Sequence, residues 1–285
     1  LAGFGTTNGS KGFGVGTSLS FDENTWKLKF YGGRADIFYD LYLAGFPVPV
    51  RQEGNVVNLN AGYGITPELS LGFGLTNLDT SITLDGPGVL PPELVPVANL
   101  NLVKLSFDVT WDRRDDSIFP TRGSLVSFTV ADGEFVSSRG LLDERYQKAV
   151  LGWGQYYNTR ASDVAVLRVT GCTVTDGAPF FDACLLGGTD KFRGFPSTQF
   201  IGSELLSLQV AYRGRLTKRW GYEVFFGAGN VYDQFGTGEE SGWRKAGGLG
   251  VRFRLSEKFP LDYSVDVSLN DEDKELLYVY LGQRF

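Results

Sequence analysis

Apolar and polar residues alternate along most of this chain. From Asn101 to Asp112, Val103, Leu105, Phe107, Val109 and Trp111 share one face, while Lys104, Ser106, Asp108, Thr110 and Asp112 share the other. Period-two alternation marks a strand with one apolar and one polar side. Trp26, Leu28 and Phe30 oppose Lys27 and Lys29 in the same way. Leu206, Leu208, Val210 and Tyr212 oppose Ser207, Gln209 and Arg213, and Tyr263, Val265 and Val267 oppose Asp262, Ser264, Asp266 and Ser268. The pattern predicts about fourteen strands, over 2–8, 11–22, 25–43, 49–65, 69–83, 98–113, 122–136, 146–160, 163–176, 203–217, 220–234, 243–257, 260–270 and 274–285. Twelve or sixteen are the alternatives, because the glycine-rich residues 1–50 permit several pairings.

The connections alternate in length. Short ones fall at 22–24, 66–68, 161–162 and 218–219, and long ones at 84–97, 137–145, 177–202 and 235–242. An even number of antiparallel strands joined this way predicts an all-β, transmembrane antiparallel β-barrel with short periplasmic turns and long external loops. The whole chain, 1–285, reads as one barrel domain. A soluble β-sandwich is the rival, and the long strands and the repeated Lys, Asp and Arg on the inward face argue against it. The turn-rich stretch from Leu185 to Phe195 carries one cation, Arg193, between aromatics and glycines. It is expected to fold back into the lumen.

Composition narrows the function. No run of eighteen apolar residues exists, so no transmembrane helix is expected, whereas a strand of about 9–11 residues suffices to cross a bilayer. Aromatic residues at 14% and 38 glycines suit barrel strands with aromatic girdles. The net charge of −6, with no basic face, makes nucleic acid an unexpected partner. His is absent, which removes the commonest metal ligand and the usual acid–base group. No Ser lies in a Gly-x-Ser-x-Gly elbow. No enzymatic activity, metal or cofactor is therefore expected. Met is also absent and no leader pattern opens the chain, so a processed or trimmed product is expected. Cys172 and Cys184 are read as a disulfide, with free thiols as the alternative; the bond would fit an oxidising compartment.

Three motifs carry a resemblance. The first is the loop Phe192-Arg193-Gly194-Phe195. The second is the hairpin from Asp112 to Gly123, with Asp112, Arg114, Asp115, Pro120 and Gly123. The third is the terminal strand, with Leu281, Gly282 and Phe285. Together, and in this order, they resemble the BamA/TamA superfamily: its Val-Arg-Gly-Tyr/Phe loop, its Asp-x-Arg-Asp…Pro-x-x-Gly periplasmic hairpin, and its C-terminal strand signal. The resemblance implies a bacterial outer-membrane barrel of the insertase or translocator type. It implies a lipid surround, a client polypeptide or lipid, and the barrel-assembly machinery as partner in the protein's own insertion. A passive channel or structural surface antigen is the alternative, and a homo-oligomer is compatible with either. Members usually carry POTRA domains ahead of the barrel, so this is expected to be a short member or a barrel cut from a longer protein.

The resemblance also implies an acidic partner for Arg193. The family's Phe-x-Asp-x-Gly strand reads Phe225-Phe226-Gly227-Ala228-Gly229 here, and the usual acid one strand earlier is Ala211. A guanidinium in a confined lumen needs an ionised partner. Asp266 and Glu223 are the expected replacements, with Asp262 nearby. Asp112, Arg114 and Asp115 are read as a charged hairpin rather than an acid–base site. Gly12, Gly14 and Gly16 are read as letting the first strands bend and pair weakly, which would leave a seam able to open.

Overall fold

In the computed structural model the alternating segments form one antiparallel sheet of fifteen strands. They are β1 (Ala2–Gly5), β2 (Lys11–Phe21), β3 (Trp26–Leu43), β4 (Phe46–Gly64), β5 (Leu69–Leu84), β6 (Val97–Asp112), β7 (Gly123–Ser137), β8 (Arg145–Arg160), β9 (Asp163–Val174), β10 (Cys184–Leu186), β11 (Phe200–Arg215), β12 (Trp220–Gln234), β13 (Arg244–Arg254), β14 (Asp262–Asn270) and β15 (Glu275–Leu281). The structure describes residues 2–5, 8–23, 25–43, 46–84, 97–137, 145–160, 163–187, 192–234, 242–256 and 261–282. Phe285 of the terminal motif and the turn at 161–162 lie outside them.

Each strand pairs with the next in sequence, except that β10 lies off the path and β9 pairs directly with β11. The path therefore has the fourteen expected strands. The extra one, β10, sits inside the stretch read as turns, where Cys184, Leu185 and Leu186 pair with Gly202, Ile201 and Phe200. Among the described residues β1 pairs with β2 and β15 with β14, and the two end strands do not pair with each other.

The outward face carries a belt with defined edges. At the short-turn end lies an aromatic girdle: Trp26 packs on Tyr63 at 4.6 Å and Trp220 on Phe253 at 5.0 Å between ring centres. Further apolar rows follow, including Leu71, Phe73 and Leu75 on β5 and Leu105, Phe107 and Val109 on β6. Farther along, the outward residues turn polar at one level. Arg34 pairs in register with Asn55, Asn55 with Asp79, and Asp79 with Asn101. Beyond that line the outward face carries ion pairs, Arg51 with Asp36 at 2.8 Å and Arg145 with Asp132 at 2.8 Å. An apolar band edged by aromatics and then by charge is the surface a bilayer requires. Strands β3 and β4, at 18 and 19 residues, are longer than a membrane crossing needs. Their outer ends therefore project past the belt.

The inward face departs from a uniformly polar lining. Near the short turns it is polar and charged. Near the long loops Leu100, Leu102, Phe135 and Val174 face inward and pack, buried, against Leu186, Phe192 and Phe195 of the loop after β9. The cause is the loop itself. Where it fills the lumen it excludes water, and burial there stabilises apolar rather than polar wall residues.

Candidate functional site

The loop joining β9 to β11 begins with a constraint. Cys172 on β9 and Cys184 on β10 form a disulfide with Cα atoms 5.8 Å apart. It places Leu186 inside the lumen, against Gly229 of β12. Phe192 and Phe195 are almost wholly buried, with their rings stacked 6.0 Å apart, and Phe195 meets Phe200 edge-on at 5.2 Å. Between them Gly194 adopts φ +128°, and a Cβ there would lie 2.1 Å from Cβ of Ala246. Glycine alone tolerates both the dihedral and the approach. Its N–H donates to the Tyr278 hydroxyl at 2.9 Å, and its carbonyl accepts from Nδ2 of Asn270 at 2.9 Å.

This backbone aims Arg193 at the wall formed by β12 to β15. Arg193 is 2% exposed, and its guanidinium lies over the Phe225 ring, 3.7 Å from its centre. Nη2 is 2.8 Å from Oε1 of Glu223 on β12, and Nη1 donates to Oδ2 of Asp266 on β14. Arg252 on β13 uses the other oxygen of each carboxylate: Nη2 is 3.0 Å from Oε2 of Glu223, and Nη1 donates to Oδ1 of Asp266. The Glu223 contacts are ionic, without hydrogen-bond alignment. Tyr280 on β15 closes the group. Its hydroxyl accepts from Arg252 at 3.0 Å and donates to Asp266 at 2.7 Å. Two cations and two anions alternate around a neutral square, which offsets much of the cost of removing each charge from water.

Arg193 thus takes both Asp266 and Glu223, and Asp262 belongs to a separate group. Asp262 accepts from Arg215 of β11 and, at 3.3 Å, from Nε of Arg254. Gly227, in the position of the family's Asp, has a role of its own. A Cβ there would lie 2.8 Å from Cε2 of Phe192 and 2.8 Å from Cγ of Gln209. The missing side chain makes room for the phenylalanine that replaces the motif's valine.

The hairpin from Asp112 to Gly123 is held by its own acids. Arg114 donates to Asp112 at 2.8 Å, and Asp115 accepts from the backbone N–H groups of Thr121 and Arg122. Burial acts to raise the Asp115 pKa, but the bonds from the Thr121 hydroxyl and from the Thr121 and Arg122 N–H groups more than offset it and hold it below the usual carboxylate value. Gly123 adopts φ +102°, where a Cβ would lie 2.0 Å from the Arg113 carbonyl oxygen. The sequence reading missed where this hairpin points. Phe119 enters the short-turn end of the lumen, 4.8, 5.1 and 5.3 Å from the guanidinium carbons of Arg213, Arg215 and Arg254, and the Pro120 carbonyl accepts from Arg213. Arg252 was also missed, although its parity with Gly248 and Gly250 marks it as inward. On β15, Leu277, Val279 and Leu281 face outward, and Gly282 adopts φ +93°.

Among the described residues no cluster has metal-ligand character. The arrangement can fasten a loop, fill a lumen and stiffen four strands. A family described as the Omp85 superfamily domain matches residues 6–285. Among solved structures, the chain is similar to BamA from Haemophilus ducreyi lacking POTRA domains 1–3. There the TM-score is 0.64 and the identity 13%, covering 96% of this chain and 61% of that one. It is also similar to CdiB from Escherichia coli, with TM-score 0.62, 13% identity, and coverage of 96% and 52%. CdiB from Acinetobacter baumannii gives 0.61, 14%, and coverage of 96% and 49%. The chain thus spans about half to three fifths of these proteins, and at such identity the likeness is one of fold. No curated protein matches it.

Proposed function

The chain belongs to the Omp85 superfamily, the insertase and translocator class of outer-membrane β-barrels, and on that premise we propose that it assists insertion or translocation of polypeptide beside a fixed lumen plug. The observation that carries this reading is an asymmetry between the two ends of the sheet. The last four strands are cross-braced by the Arg193–Glu223–Arg252–Asp266 square and by Tyr278 and Tyr280. The inward positions at the start of β2 are glycines, Gly12, Gly14 and Gly16. Gly14 faces Gly33 across the β2–β3 pair, and a cavity of about 830 Å³ opens between these strands and Phe181 of the loop. Glycine-rich pairs pack few side chains and open at low cost. An incoming strand adds to such an edge by backbone hydrogen bonds. The chemistry needs no cofactor, because folding and membrane partition of the client supply the free energy.

Reconstitution tests the reading. The protein in liposomes is mixed with a small urea-denatured outer-membrane barrel, and the client's folding is followed by its shift in gel mobility. Folding faster than in protein-free liposomes, and faster than with an unrelated barrel, is the expected result. Equal rates in all three would contradict it.

A further inference from the structure

The loop touches the wall at a second place, away from Arg193. Asp182 ends a single 3-10 turn, Phe180–Asp182, between β9 and β10. Its Oδ2 accepts from Nζ of Lys104 on β6 at 2.7 Å and from the Tyr146 hydroxyl on β8. Its Oδ1 accepts from Nζ of Lys148, also on β8, at 3.0 Å, and the same ammonium donates to the Asp182 carbonyl at 2.8 Å. The aspartate side chain is 13% exposed and that of Lys148 14%. Cys184, two residues on, is tied to β9 by the disulfide. The neighbouring Phe180 faces Tyr39 of β3, with ring centres 6.3 Å apart, and meets Phe181 edge-on at 5.5 Å.

We propose that Asp182 is the positioning residue for the first half of the loop, and that the loop is a brace fastened to two walls by opposite charges. Its carboxylate seats on cations of β6 and β8, and its guanidinium seats on carboxylates of β12 and β14. The opposite signs fix the orientation. Arg193 would be repelled by Lys104 and Lys148, and Asp182 by Glu223 and Asp266, so neither end can take the other's seat. Each seat is complete without the other, so one end can be released while the other holds. Releasing Asp182 frees Phe180 from Tyr39 and frees Phe181, which lines the cavity beside β1 to β5, and leaves the Arg193 square in place. The proposal deepens the translocator reading by naming the end of the plug that yields, and it rests on that reading for its purpose.

Hydrogen exchange of the whole chain in liposomes tests it. The variants are Asp182→Asn, Asp182→Lys, and Asp182→Lys combined with Lys104→Glu and Lys148→Glu. Exchange at Phe180–Leu186 is expected to rise severalfold in Asp182→Asn and further in Asp182→Lys. It is expected to return toward wild type in the triple variant, with Phe192–Phe195 equally protected throughout. A merely structural aspartate would not be rescued by reversing the charges. Unchanged exchange in Asp182→Asn would overturn the proposal. So would a triple variant as labile as Asp182→Lys, or loss of protection at Phe192–Phe195 along with Phe180–Leu186. If Asp182→Lys does not assemble, Asp182→Asn decides alone. No client enters this measurement, so failure of the client assay leaves the two-point brace standing, and failure here leaves the client assay to be judged by itself.

Discussion

Phe192 and Gly227 are coupled, because the ring at one position occupies the space that a side chain at the other would need. Gly227→Asp alone forces the ring out and sets a carboxylate beside Gln209 and the Leu208 carbonyl. Phe192→Val alone leaves a cavity in the loop's buried core. The double variant exchanges volume for volume and supplies an acid within the lumen. Residues in contact typically couple by about 0.5–3 kcal/mol. The double variant is expected to be more stable than the sum of the singles by an amount in that range, read from thermal or urea unfolding in detergent. Additive losses would mean that the two positions are independent. The sequence alone showed Gly227 as a departure from the family and showed Glu223 and Asp266 on the inward parity. It could not show that the departure is steric, because Phe192 lies 35 positions away and no periodicity links a loop to a strand. The partners of Arg193 were legible for the opposite reason: the resemblance of a short motif placed the residue in the lumen, and period two put Glu223 and Asp266 on the face that lines it.

Among the elements, strands were the easiest to read and the loop the hardest. Period two follows from the pleat, so any strand with lipid on one side writes its boundaries into the sequence. The loop follows no period. Its short strand β10 and the turn ending in Asp182 depend on partners from β6, β8 and β11, and so does the insertion of Phe119 among three arginines. The Asp182 seat also predicts a response to acid. Burial acts to raise its pKa, but Lys148 and Lys104 more than offset this, so the folded value lies below the ordinary 3.8. A depressed folded pKa contributes stability that is fully present above 3.8 and is lost as pH falls through the folded value. Near-ultraviolet circular dichroism, which reports the packing of Tyr146, Phe180 and Phe181, should hold steady from neutral pH down to that ordinary value and change below it. Asp182→Asn should lack this step. A step of the same size in both proteins would assign the transition to other carboxylates.

The whole molecule is a lipid-facing belt around a lumen into which side chains pack from both ends. The loop fills the outer half and is fixed by a disulfide and two charged seats. Phe119 and its arginines occupy the short-turn end. On the proposed function, side chains packed into the lumen and the glycines of β2 suit work at the wall rather than free passage through the middle. The rival is an open channel on the same scaffold, and the two differ most plainly in what the lumen conducts. Planar-bilayer recording of the wild type beside Arg193→Ala decides between them. The plugged barrel predicts a nearly closed, flickering wild type and a variant whose conductance is higher and longer-lived, because the loop's second half has lost its seat. A steady open pore in the wild type, unchanged when Arg193 is removed, would contradict the account.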